Sequence, residues 1–60
     1  MDYYKSKRMA LIDIRLLAEQ GHAIEDIRFA ILEKYGFPEK FVNSYYTTLE
    51  ERGLVKKPKK

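Results

Sequence analysis

Apolar residues recur at helical spacing in three stretches of the chain. Between Lys7 and Gln20, Met9, Ile12 and Leu16 fall three or four residues apart, and Ala10, Ile14 and Leu17 form a second stripe beside them. This spacing predicts a helix with a hydrophobic face. Ser6 is placed to cap its start, and Gly21 to end it. With Leu11 added, the apolar surface is wider than packing on one pair of neighbouring helices covers, so the segment predicts a second interface. A strand through Ile12, Ile14 and Leu16 would be short and would have no turn partner.

The second stretch, Ile24 to Tyr35, places Ile24, Ile27, Ile31 and Tyr35 on one face and Glu25 and Asp26 in the first turn, where acidic groups suit the helix dipole. Ala23 stands where a capping Ser or Thr would be favoured, and Gly36 stops the helix. Phe29 falls on the opposite side from Ile27 and Ile31. The third helix is expected from Pro38 to Arg52, because proline suits the first turn, where its missing amide has no partner to lose. Val42, Tyr45 or Tyr46, and Leu49 form its inward stripe, with one tyrosine buried and the other at the edge. Leu54-Val55 then reads as a short extended piece.

Composition narrows the class. A 60-residue chain is one small domain, and such a domain buries only about 60% of the surface its unfolded form exposes. With no cysteine there is neither a disulfide framework nor a Cys-based zinc site, so self-association is the expected supplement to stability. A homodimer is therefore expected, with Met9, Leu11, Ile12, Ile14, Leu16 and Phe29 as its interface. The longest apolar cluster, MALIDIRLLA, is broken by Asp13 and Arg15. It is too short for a membrane span and unlike a signal peptide, which makes the cytoplasm the expected compartment.

Charge adds a direction. The first eight residues carry a net +2, the last five (KKPKK) a net +4 and residues 9–55 the balance of −3, against +3 overall. The chain thus divides into a basic N-terminal arm (1–8), a helical domain (9–55) and a basic C-terminal tail (56–60). Basic ends on an acidic body suit a polyanion, since each lysine near a phosphate releases counterions; lysine-rich ends that only aid solubility are the plain alternative.

Catalytic chemistry has little to use. His22 is the one histidine; Glu25 and Asp26 beside it read as first-turn acids, and Glu50 and Glu51 diverge by about 100° around a helix. Gly21, Gly36 and Gly53 stand singly at element ends, so no phosphate-cradling loop is present, and Ser44 has no evident base. No enzyme, cofactor or metal site is expected.

Two helices joined by a tight turn around Gly36 make a pair of the helix-turn-helix type. The residues in it are similar to those of the winged-helix family of transcription regulators. In that family a Gly follows the second helix, an apolar residue comes next, a Val or Ile sits six residues after the Gly, and the recognition helix ends in a Leu-Glu-Glu-Lys-Gly-Leu-Ile type phrase. This chain has Gly36, Phe37, Val42 and Leu49-Glu50-Glu51-Arg52-Gly53-Leu54-Val55 in those places. Where the family carries a small residue four places before the Gly, this chain has Leu32. The resemblance implies an all-α, three-helix core of winged-helix type. Its wing would be vestigial or absent, replaced by the basic tail or paired with Asp2-Tyr3-Tyr4, because Pro58 interrupts a continuing strand.

The same resemblance implies double-stranded DNA as partner, with Glu39, Lys40, Asn43, Ser44 and Thr47 facing the major groove and Lys56, Lys57, Lys59 and Lys60 on phosphates. The chemistry suits the role: Asn43 can pair bidentately with adenine, Lys40 can reach guanine or phosphate, Ser44 and Thr47 can bond bases or backbone, and Glu39 can accept from cytosine. On residue type alone, these five also fit an ordinary solvated helix face. Phe41 is open between core, thymine methyl and protein interface. The expected function is a homodimeric DNA-binding transcription regulator. Its rival is a protein-interaction adaptor working through Phe29, Phe41 and the first helix, favoured by Lys40 being nearly the only cation on the reading face. A ubiquitin-associated type of domain, suggested by Tyr35-Gly36-Phe37-Pro38, leaves too little chain for its last helix.

Overall fold

The computed structural model describes residues 2–55. Three helices follow one another, α1 (Tyr3–Glu19), α2 (Ile24–Tyr35) and α3 (Glu39–Glu51), with no strand among the described residues. Each helix packs on the other two. Ala10, Ile14 and Ala18 from α1, Ile27 and Ile31 from α2, Val42 and Leu49 from α3, and Val55 after it form the core. The five larger side chains Ile14, Ile27, Ile31, Val42 and Leu49 are at most 1% exposed. Each stabilises the fold by roughly 1.5–3 kcal/mol relative to exposure.

The first helix starts four residues earlier than its apolar stripes suggest. Asp2, not Ser6, is the cap: its Oδ1 accepts from the Tyr4 backbone N–H at 3.1 Å. Tyr3 secures the added turn by packing edge-on against Phe37, with ring centroids 6.0 Å apart. Lys5, Lys7 and Arg8 therefore sit on a helix rather than on an arm, and Tyr3 and Tyr4 are not available as a strand for a residual wing.

The structure also decides which stripe of α1 faces inward. Ala10, Ile14 and Ala18 point inward, whereas Met9, Ile12 and Leu16 remain 49%, 52% and 48% exposed. The stripe with the larger side chains is the outer one. Two alanines flanking one isoleucine let α1 lie close against both neighbours, which a run of large residues would prevent.

Helix α2 matches its expected limits, and the short turn after it depends on Gly36. Its φ of +80° is costly for any residue with a Cβ, and its N–H closes the helix onto the Leu32 carbonyl at 2.9 Å. Pro38 then stands one place before the helix, as the N-cap of α3, and Arg52 is the cap at its other end. Gly53 and Leu54 donate to the carbonyls of Glu50 at 3.0 Å and Leu49 at 2.9 Å, the paired bonds of a Schellman cap. This cap turns the chain so that Val55 returns to the core, as a bend rather than an extended strand. The Leu-Glu-Glu-Arg-Gly-Leu-Val phrase thus has a complete local explanation as a helix terminus.

Two polar contacts tie elements together. Asp13 on α1 accepts from the Tyr35 hydroxyl at 2.5 Å and from Lys34 Nζ at 3.0 Å, both on α2. The Tyr35 hydrogen bond is the main cause that holds the Asp13 carboxyl below its ordinary value of 3.8, reinforced by Lys34 and opposed by partial burial. Conversely, the bond to Asp13 raises the Tyr35 phenol and the Lys34 ammonium. The second contact, between Arg28 and Asn43, belongs to the candidate site.

Candidate nucleic-acid interface

Helix α3 is amphipathic in the strict sense that its two sides are chemically different. Val42 and Leu49 face the core, while Glu39, Lys40, Ser44, Thr47 and Glu51 are exposed. The Gly36–Pro38 turn sets α3 tightly against α2, and α1 supports the pair from the other side. A helix held on its apolar side by two others presents its polar side as a rigid unit.

Four of the five residues assigned to the reading face are therefore outward: Glu39, Lys40, Ser44 and Thr47. Asn43 differs. It is half-buried, and its Oδ1 accepts from Arg28 Nε of α2 at 2.8 Å. A guanidinium can only donate, so the amide oxygen must face it. Bidentate pairing with adenine would use that oxygen's second lone pair or displace Arg28. In its present position Asn43 offers its amide N–H groups and that remaining lone pair.

Arg28 is the residue that sequence reasoning missed. Its guanidinium also lies 3.9 Å from the Glu39 carboxylate and is about one-third exposed. Nε is committed to Asn43, while the terminal nitrogens make no side-chain hydrogen bond or ion pair among the described residues. Arginine is the side chain best suited to guanine edges and phosphates. Its contact with Asn43 spans fifteen residues of sequence, so no local pattern announces it.

The aromatic residues resolve toward packing. Phe41 stacks on Phe37 at 4.4 Å between centroids, and both lie against the core. Tyr45 and Tyr46 are both half-buried, rather than one buried and one at the edge. Burial raises the Tyr46 phenol, with the Glu50 and Glu25 carboxylates acting in the same direction. Ser44 also gives its backbone carbonyl to the Thr48 hydroxyl at 3.1 Å, which leaves its own side chain free.

The six residues assigned to a dimer contact separate into three groups. Ile14 is fully buried inside its own chain and cannot touch a partner; Leu11 is half-buried against the core. Met9, Ile12 and Leu16 do form an exposed strip on α1. Phe29, at 66% exposure, belongs to α2 and stands beside exposed Leu32. Lys56, Lys57, Lys59 and Lys60 lie outside the described residues. Among the described residues, no group of three His, Asp or Glu side chains could hold a metal ion, and no helix is long and apolar enough to cross a membrane. Comparison of the chain with protein-family models, with curated protein sequences and with solved structures returns no match, so the geometry of α2 and α3 is what a functional reading must start from.

Proposed function

We propose that the chain is a double-stranded DNA-binding protein, a small transcription regulator of helix-turn-helix type without a wing, that inserts α3 in the major groove. The observation that carries this reading is the outward polar face of α3, held by a three-residue turn against α2 and flanked by Arg28 on its Asn43 clamp. Lys40, Ser44 and Thr47 contact bases or phosphates in this arrangement. The Arg28–Asn43 pair acts as one unit, with guanidinium donors for guanine or phosphate and amide donors for a base acceptor. Lys56, Lys57, Lys59 and Lys60 supply sequence-independent phosphate attraction, and self-association places a second α3 on the same duplex. This role belongs in the cytoplasm.

Fluorescence anisotropy of labelled duplex, titrated at several salt concentrations, tests the proposal. Binding at low salt that weakens steeply with added salt is the expected result, and removal of residues 56–60 lowers the slope. No binding at low salt rejects it.

The exposed apolar residues Met9, Ile12, Leu16, Phe29 and Leu32 favour a second reading, an adaptor that binds a different protein. Lys40→Glu combined with Asn43→Ala separates the two. The pair of changes abolishes function in the first reading and leaves partner capture intact in the second.

A further inference from the structure

The outer faces of α1 and α2 both carry an apolar strip, yet their rims differ in charge. Ile12 lies two residues from fully buried Ile14, and Phe29 two residues from fully buried Ile27. Each is therefore about 160° around its helix from the core, so the two strips look away from the molecule in different directions. On α1 the strip of Met9, Ile12 and Leu16 is bordered by exposed Lys5, Arg8 and Arg15, which stand three or four residues from it along the helix. Arg15 is partly neutralised by Glu19 at 3.1 Å. On α2 the strip of Phe29 and Leu32 is bordered at the same spacings by exposed Glu25, Asp26 and Glu33, and by half-buried Arg28, whose guanidinium is drawn to Asn43 and Glu39 of α3. None of these three carboxylates has an ion-pair partner among the described residues.

Like-charged rims would repel if either strip met its own copy. A basic-rimmed strip and an acid-rimmed strip attract, and the apolar centres then exclude water together. The acidic rim also makes the α2 face a poor surface for phosphates, which leaves it to protein. We infer that the α1 outer face of one copy docks on the α2 outer face of another, a head-to-tail contact rather than a symmetric one. This deepens the self-association proposed above and is independent of DNA. Because the contact joins two different surfaces, each copy keeps one face of each kind open, so association continues beyond the dimer or closes into a ring. Neither strip includes a residue of α3.

Sedimentation velocity on the full chain and on two single variants, Ile12→Ser and Phe29→Ser, tests the inference. Both positions are more than half exposed, and circular dichroism checks that each variant keeps the helical content of the parent. The parent chain is expected to grow past the dimer as concentration rises. Each variant alone is expected to lose that growth and run as a monomer, since one of its two faces is spoiled. Mixed in equal amounts, the variants are expected to form a 1:1 dimer and stop there, through the intact α2 face of Ile12→Ser and the intact α1 face of Phe29→Ser. A Phe29→Ser chain that still dimerises alone, while Ile12→Ser does not, would overturn the head-to-tail contact and leave a symmetric α1 pair. A parent chain that stays monomeric up to about millimolar concentration would overturn self-association itself, whatever its affinity for DNA.

Discussion

Helices α1 and α3 lie on the same core and turn opposite chemistry to the outside. The outer side of α3 carries Glu39, Lys40, Ser44 and Thr47; that of α1 carries Met9, Ile12 and Leu16. Polar groups on a supported helix form hydrogen bonds with whatever approaches, so their geometry can discriminate between targets. An apolar strip has no directional bonds to offer, and its free energy falls by removal from water. In the proposed function the contrast divides labour within a small chain, with α3 serving recognition and α1 association.

Paired substitutions on α1 separate its inner face from its outer one. Ile14→Ala leaves a cavity in the core and should destabilise by about 2–5 kcal/mol, enough to unfold much of a small domain. At the exposed neighbour, Ile12→Ala should cost less than about 0.5 kcal/mol at concentrations where the chain is monomeric. Urea unfolding followed by circular dichroism measures both. Equal losses would mean that α1 has been placed with the wrong face inward.

On α3, Lys40→Glu together with Asn43→Ala removes two of the proposed contacts. At about 1–3 kcal/mol per base contact, duplex affinity should fall at least tenfold in anisotropy titrations while Ile12→Ser keeps its affinity per protomer. Arg28→Ala sharpens the point. If the clamp acts as one unit, Arg28→Ala and Asn43→Ala should each weaken DNA binding and the double variant should be less than additive.

Away from both outer faces, Asp13 fastens α1 to α2. Asp13→Asn should cost about 1–2 kcal/mol, because the half-buried Tyr35 hydroxyl loses a charged acceptor. The acid limb has a definite sign. A carboxyl whose folded pKa is depressed contributes stability above its ordinary value of 3.8, and that contribution is lost as pH falls through the folded value. The raised Tyr35 and Lys34 act in the opposite sense. Their contribution is present below their ordinary values of 10.0 and 10.5 and is lost as pH rises through the folded ones. Asn at position 13 should flatten both limbs in thermal melts across pH.

In the turn between α2 and α3, Gly36→Ala should cost about 1 kcal/mol. A Cβ there meets nothing within 4 Å, so only the left-handed backbone at φ +80° opposes it. A much larger loss would show that the turn constrains the α2–α3 geometry beyond its own backbone.

Local pattern made the helices legible, and contacts across the sequence were not. The limits of α2 follow from its isoleucine spacing and Gly36 alone. The inward face of α1 does not, because two apolar stripes share the helix and only close packing against α2 and α3 selects Ala10, Ile14 and Ala18. Its early start was hidden for a related reason: Tyr3 joins the helix through Phe37, thirty-four residues away. Likewise, Asn43 was legible as a polar residue on an outer face but not as the partner of Arg28. The Leu49–Val55 phrase, read as a family feature, also turns out to encode a Schellman cap, which any helix ending in Gly-Leu can use.

In the proposed function α3, rather than α1, meets DNA. Chemical-shift mapping of the 60-residue chain against a duplex tests it most directly. The expected result is a set of salt-sensitive amide shifts at Arg28, Lys40, Asn43, Ser44 and Thr47, with Met9, Ile12 and Leu16 unmoved at concentrations where the chain is monomeric. Shifts confined to α1, or none at low salt, would contradict it.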